Sequence, residues 1–401
     1  MDQPQERLWN RNFCFLLSLS AVTATAFNMV TPTLPRFAVD LGAGLTIAGT
    51  LAGIFAITAL IVRPFSGLAV DRLNKKWLLV GSTAIMTLAV IGYTLSRSIG
   101  VLFIFRILHG AAFSISGTTN TSLACSYIPP RRLGEGVGYL GLGYILATAV
   151  GPSLGLGLAD AYGYQVSFGA SAALFALATL LMLLISYRHA PRALASECDT
   201  PRQRIRFSDL FAGELLIYAV LAAVISLSNG VVNTFIPLFA ADRGIPNIGL
   251  YFTVSAFSML AIRLVGGRLL DRYGLGAILY PAYLIAGLSM FLLAGANALP
   301  LVLVSAAMRS VGQSAAQPAL QATCIRKLGP ARSGVATSTF FVGADVGQGL
   351  GPIIGGAISE TWSYGAMYAG TGAILLVGMG IYALHARHER LRPAVQPAQA
   401  A

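Results

Sequence analysis

Arg63-Pro64-Phe65-Ser66-Gly67-Leu68-Ala69-Val70-Asp71-Arg72 closes one long apolar run, and Arg263-Leu264-Val265-Gly266-Gly267-Arg268-Leu269-Leu270-Asp271-Arg272 closes another. The arginine, the glycine and the Asp-Arg pair recur at a constant displacement of 200 residues, so the chain reads as a duplication. Gly151-Pro152 with Gly155 returns as Gly351-Pro352 with Gly355 at the same displacement. Pro35 and Asp40 match Pro237 and Asp242, and Arg106 matches Arg309. Two equivalent halves explain these pairs economically.

The solvent of both halves is lipid. Of 401 residues, 56% are hydrophobic and 10% charged, against roughly 25% charge in a soluble domain. Disorder needs the opposite balance, and four cysteines are too sparse for a secreted disulfide scaffold. A bilayer-spanning helix needs about 20 mostly apolar residues, and twelve such runs are expected: 12–38, 45–70, 77–96, 100–126, 134–160, 165–188, 211–240, 246–271, 275–295, 299–327, 332–358 and 363–386. Alternating polarity, the mark of a membrane β-barrel, is missing from stretches such as Ala172 to Ile185. Ala24-Thr25-Ala26 mimics a signal-peptidase site, but the apolar run continues to Pro35, so helix 1 is expected to stay in the mature protein. The expected organisation is all-α, with six helices in 1–188, a polar linker over 189–210 and six more in 211–401.

Formal net charge is +12, and its placement argues against nucleic acid as the partner. With both termini in the cytoplasm, that side receives Arg7, Arg11, Arg72, Lys75, Lys76, Arg131, Arg132, the linker arginines, Arg268, Arg272, Arg326, Lys327, Arg332, Arg387, Arg390 and Arg392. The other side receives Arg36, Arg97 and Arg243. Short loop clusters of this kind follow the positive-inside rule of a multi-pass inner-membrane protein, whereas phosphate binding needs one concentrated basic face.

Gly67 to Lys76 resembles the signature between helices 2 and 3 of the major facilitator superfamily, with Asn74 where that family usually has glycine. The 6+6 layout resembles the same family, which implies a secondary transporter with the major facilitator fold. Gly67 permits close helix packing. Asp71, Arg72, Asp271 and Arg272 are candidate gating charges, either pairing across a moving interface or only setting topology. In helix 4, Arg106-Ile107-Leu108-His109-Gly110 looks like the Arg-x-x-Gln-Gly motif of proton-coupled drug exporters, with His109 in place of glutamine. Helix 5 keeps the exporter pattern Gly-x-x-x-Gly-Pro-x-x-Gly-Gly only in part, because Ala147 and Leu156 replace two glycines, while helix 11 carries it whole from Gly347 to Gly356. Arg131 to Gly136 looks like the drug and metallophore exporter branches.

Asp345 lies mid-helix and its counterpart is the apolar Ile145. An intramembrane carboxylate present in one half is a candidate proton carrier, or a fixed counter-ion to Arg309 or Arg263. Arg106, Glu214 and His109 are the other candidates for proton coupling, with His109 more suited to packing or hydrogen bonding beside a cation. Helix 10 presents Arg309, Gln313, Gln317 and Gln321 every fourth residue, and helix 4 presents Ser114 and Thr118 on the same spacing as Arg106. The resemblance implies that helices 1, 4, 7 and 10 line a central cavity, adding Asn28, Thr31, Asn229 and Asn233. No metal-ligand cluster, nucleophilic triad or Walker motif is present, so no cofactor and no enzyme activity are expected. The leading expectation is a monomeric, lipid-embedded, proton-coupled exporter of small organic molecules. Its rivals are an importer of a sugar or organic anion with Arg106 or Arg309 as carboxylate clamp, and a non-transporting receptor or lipid-handling protein.

Overall fold

The structure is a computed structural model that describes residues 9–125, 127–128, 133–184, 212–329 and 332–391. Among them every regular element is helical: α1 Arg11–Asp40, α2 Leu45–Arg72, α3 Lys75–Leu95, α4 Ile99–Cys125, α5 Leu133–Tyr162 and α6 Tyr164–Leu183. The second half opens with a 3-10 turn, Gly213–Leu215, continued by α7 Leu216–Asp242. The run Gly249–Ala294 is parted at Gly274, whose φ of 79° and ψ of 174° no helix accommodates, into α8 before it and α9 after it. α10 Leu299–Leu328, α11 Ser333–Thr361 and α12 Tyr364–Leu391 complete twelve. Gly274 supplies the left-handed turn because a Cβ there is strained. Its counterpart Asn74 works differently, its side chain accepting hydrogen bonds from the backbone of Lys76 and Trp77 at the start of α3.

Nine helical segments among the described residues are long and apolar enough to cross a membrane by themselves. α10 and α11 are long but too polar, and α10 reaches bilayer depth by burying Arg309, Ser310 and Gln313 against other helices. Each half has the same internal packing, α1 on α5 and α7 on α11, then α3 on α6 and α9 on α12. The repeated glycines make that packing possible. A Cβ on Gly151 would meet the Thr25 carbonyl of α1, and one on Gly351 would meet the Leu227 carbonyl of α7, so both copies of the glycine-proline motif serve close helix approach.

The two halves touch chiefly along two seams, α2 against α11 and α5 against α8, with α7 also meeting α1 and α2. Gly49 and Gly53 lie so close to the Pro352 and Gly349 carbonyls that no larger residue fits. At the far end of this seam, Glu360 Oε2 accepts from Thr46 N at 2.7 Å. On the other seam Ser153 Oγ donates to the Gly249 carbonyl at 2.9 Å. α2 and α8 begin on the face opposite the chain termini, so the tight contacts close that face. Toward the terminal face the α2–α11 contacts reach Arg63, Asp345 and Phe341. A Cβ on Gly67, one turn further, meets nothing within 4 Å.

The expected linker, with Cys198, lies outside the described residues, as do Arg131 and Arg132 and the side chains of Asp71 and Asp271.

Candidate functional site

A cavity of about 230 Å³ lies between the halves. Helical spacing decides what faces it. α1 contributes Phe27, Asn28 and Thr31; α2 contributes Phe55, Ala59 and Arg63, four residues apart; α7 contributes Asn229 and Asn233. α4 adds Arg106 and Phe113, α5 adds Tyr144, and α11 adds Asp345, Gln348 and Pro352. One wall is aromatic, with Phe27 stacked on Phe113 at a centroid distance of 4.6 Å and Phe55 within 5.2 Å of both rings. The facing wall is a set of amides.

Asp345 does not pair with Arg309 or Arg263. Its partner is Arg63 of the other half, Nη2 to Oδ2 at 2.9 Å. The contact is an ion pair without aligned hydrogen bonds, since Asp345 Oδ2 and Arg63 Nε both lack a hydrogen-bond partner. The Arg63 side chain is 38% exposed and also lies 5.6 Å from the centre of the Phe341 ring. Arg63 is thus the single cross-half partner of the cavity carboxylate among the described residues, at the point where α2 and α11 begin to separate.

Arg106 is 2% exposed. Its Nε donates to the Leu51 carbonyl at 3.2 Å, its plane lies over Phe55 at 4.4 Å, and its Nη1 has no partner. His109 is fully buried behind the cavity wall, ringed by Phe27, Phe55, Tyr93 and Phe175, with Nδ1 3.2 Å from the Tyr93 hydroxyl. It does not line the cavity. Glu214 is exposed in the 3-10 turn before α7 and does not line the cavity.

Arg309 is satisfied inside the second half. It donates to the Tyr251 hydroxyl at 2.8 Å, to Gln313 at 2.7 Å and to Asn229 at 3.2 Å. Asn229 in turn donates to Gln348 at 2.9 Å and accepts from Asn233 at 3.3 Å. Arg309 and Gln313 therefore stand behind the amide wall and orient it, rather than facing the cavity. Gln317 donates to Ser226 at 3.0 Å. Gln321 turns to a separate cavity of about 450 Å³ between α8 and α10, beside Arg263, Ser314 and Arg326. In α4, Ser114 is spent on Ser66 of α2 at 3.2 Å and Thr118 on the Ser114 carbonyl at 2.9 Å. The fourth-residue stripes of α4 and α10 thus mostly hold helices together. Of the expected gating residues, Gly67 meets open space, while Arg72 and Arg272 are exposed, Arg272 lying over Tyr273 at 5.2 Å.

The site contains residues that sequence patterns did not single out: Phe27, Phe55, Phe113, Tyr144 and Gln348, with Arg63 noted only as part of the repeat. Among the described residues no group of His, Cys, Asp and Glu is placed to hold a metal ion.

The Major Facilitator Superfamily pattern matches residues 16–344 and again 218–400. Multidrug resistance protein MdtG of Proteus mirabilis is 26% identical over 94% of this chain and 96% of its own. Multi-drug resistance efflux pump PmrA of Streptococcus pneumoniae is 26% identical over 90% of this chain and 93% of its own. Staphylopine export protein of Staphylococcus aureus is 24% identical over 91% and 93%. Among solved structures, nucleoside transporter NupG superposes with a TM-score of 0.76 at 16% identity, covering 94% of this chain and 99% of that one.

Proposed function

Because the chain belongs to the Major Facilitator Superfamily and is a multi-pass membrane transporter rather than an enzyme, we propose that it is a proton-coupled exporter of small organic molecules, working by alternating access in a bacterial inner membrane. Export is supported by the relatives, three of which carry drug-resistance or export names over nearly their full length. The importer and receptor readings have no comparable support.

The observation that carries the mechanism is the Arg63–Asp345 pair, which joins the two halves at the cavity. Protonation of Asp345 removes its attraction for Arg63 and so weakens a contact that must break when the halves rock. Asp345 is therefore the proton carrier and Arg63 its partner in the coupled step. Arg106, fixed over Phe55, sets the field in which that proton moves, while His109 and Glu214 stay outside it. With 1–188 and 211–401 as the moving halves, 189–210 as the linker and both termini in the cytoplasm, the closed face is periplasmic and the cavity faces the cytoplasm. That is the loading state of an exporter. Asp71, Arg72, Asp271 and Arg272 lie at the cytoplasmic ends of α2 and α8, where the opposite closure has to form.

The test uses inside-out vesicles energised by a pH gradient and a panel of aromatic organic compounds. Uptake of a compound that collapses when the gradient is dissipated, and that is lost in Asp345→Asn, is the expected result. Uptake independent of the gradient removes proton coupling from the reading.

A further inference from the structure

We infer that the central cavity contains an oxyanion subsite at Arg106 and that the transported molecules include small aromatic carboxylates. The inference deepens the transporter reading, on which it rests only for placing the cavity on the path of transport.

Among the described residues the charges lining the cavity are two guanidiniums, Arg63 and Arg106, and one carboxylate, Asp345. Asp345 is taken up by Arg63 at 2.9 Å. The pair leaves Arg106 as an uncompensated cation, 2% exposed, with Nη1 bonded to nothing. An unsatisfied donor on a buried charge is costly, and a carboxylate oxygen is the partner that returns most, through a charge-assisted hydrogen bond. The plane of the guanidinium is already fixed, by Phe55 at 4.4 Å and by the Leu51 carbonyl at 3.2 Å on Nε, so binding costs it little rotamer freedom.

Beside Arg106 stand Phe27, Phe55 and Phe113, a continuous aromatic surface for the body of the ligand. The volume, about 230 Å³, lies below the roughly 300 to 1,000 Å³ of drug-sized pockets, which restricts the ligand in this conformation to one or two rings. A cationic ligand meets the reverse situation. It must displace Arg63 from Asp345 while lying beside two guanidiniums.

The experiment measures binding of three matched probes, 2-naphthoate, 2-naphthamide and 2-naphthylmethylammonium, to the purified full-length protein in detergent by thermal shift. Naphthoate is expected to bind at least about tenfold more tightly than the amide, as one charge-assisted bond implies, and the ammonium most weakly. Arg106→Gln should bring naphthoate down to the affinity of the amide and leave the amide unchanged. If that variant does not fold, Arg106→Lys, which keeps charge but loses the planar fork, should narrow the preference. Naphthoate no tighter than the amide, an ammonium preference, no binding of any probe, or a loss that follows Arg63→Gln instead of the Arg106 variants overturns the assignment. Binding in detergent needs no gradient and no direction, so this result stands apart from the vesicle test of export.

Discussion

At the scale of the residue, the pairing of Asp345 with Arg63 changes what its removal should do. A fully buried pair broken on one side costs about 3 to 5 kcal/mol, and an exposed one about 0 to 1 kcal/mol. Arg63 is 38% exposed at the side chain, so water compensates part of the lost partner, and Asp345→Asn should lower stability by only about 1 to 2 kcal/mol. Transport driven by a pH gradient should nevertheless fall to background, because an amide cannot cycle a proton. Thermal unfolding and vesicle flux on the same preparation check the two halves of this expectation; a stable variant with normal proton-driven flux removes Asp345 from coupling. His109 gives the complementary case. Its Nε2 is buried and unpartnered, and its neighbour Tyr93 also donates to the Phe105 carbonyl at 3.3 Å. His109→Phe therefore removes one unsatisfied polar atom while Tyr93 keeps an acceptor, and stability should change by less than about 1 kcal/mol. The pH profile of transport should be unmoved. A shifted profile returns His109 to the proton path.

At the scale of the helix, the sequence was most legible where the bilayer imposes one answer. A run that must cross lipid has to be helical and about 20 residues long, so the twelve runs lie close to the twelve helices. Departures are at the ends, where water relaxes the constraint: α12 continues to Leu391, and the 3-10 turn Gly213–Leu215 precedes α7. The cavity was legible only in part. Asn28, Thr31, Arg106, Asn229, Asn233 and Asp345 stand out as polar residues in apolar runs, whereas Phe27, Phe55 and Phe113 read the same whether they face lipid or a ligand. Arg309 and Gln313 show the converse, since polarity marks a residue turned from lipid without saying whether it meets a cavity or a neighbour. The Arg63 contact was encoded in the repeat. Displacing the pair Arg63 and Asp345 by 200 gives Arg263 and Ile145, and Arg263 indeed lies along α5, near Gly141. The α2–α11 seam itself makes a prediction. Gly44 lies directly against the end of the Glu360 side chain, so Gly44→Cys with Glu360→Cys, in a chain without other cysteines, should be joined by a short bifunctional methanethiosulfonate that spans the length the glutamate side chain gives up. Transport should stop on crosslinking and return with reductant. Full transport by the crosslinked protein excludes opening of this seam from the cycle.

At the scale of the whole molecule, charge decides which way the protein lies and thereby which compartment the cavity meets. The basic residues gather on the side of the termini and at the ends of α2, α8 and α10, with Arg72, Lys75, Lys76, Arg272, Arg326 and Lys327, while Arg36, Arg97 and Arg243 lie on the other. Retention of short basic loops on the cytoplasmic side sets orientation during insertion, and in the orientation we propose the closed seam, ending at Glu360 and Thr46, faces the periplasm. Two single-cysteine proteins, made after replacing Cys14, Cys125, Cys198 and Cys324 with serine, test this. Ser196→Cys probes the segment between the halves. Ser98→Cys probes the short exposed connection between α3 and α4, on the face opposite the termini. A membrane-impermeant maleimide should label the Ser98→Cys protein in intact cells with a permeabilised outer membrane and leave the Ser196→Cys protein untouched; in inside-out vesicles the pattern should reverse. The opposite pattern inverts the protein, so that the cavity opens to the periplasm in this conformation. The same contacts would then describe the release state of an exporter, or the loading state of an importer.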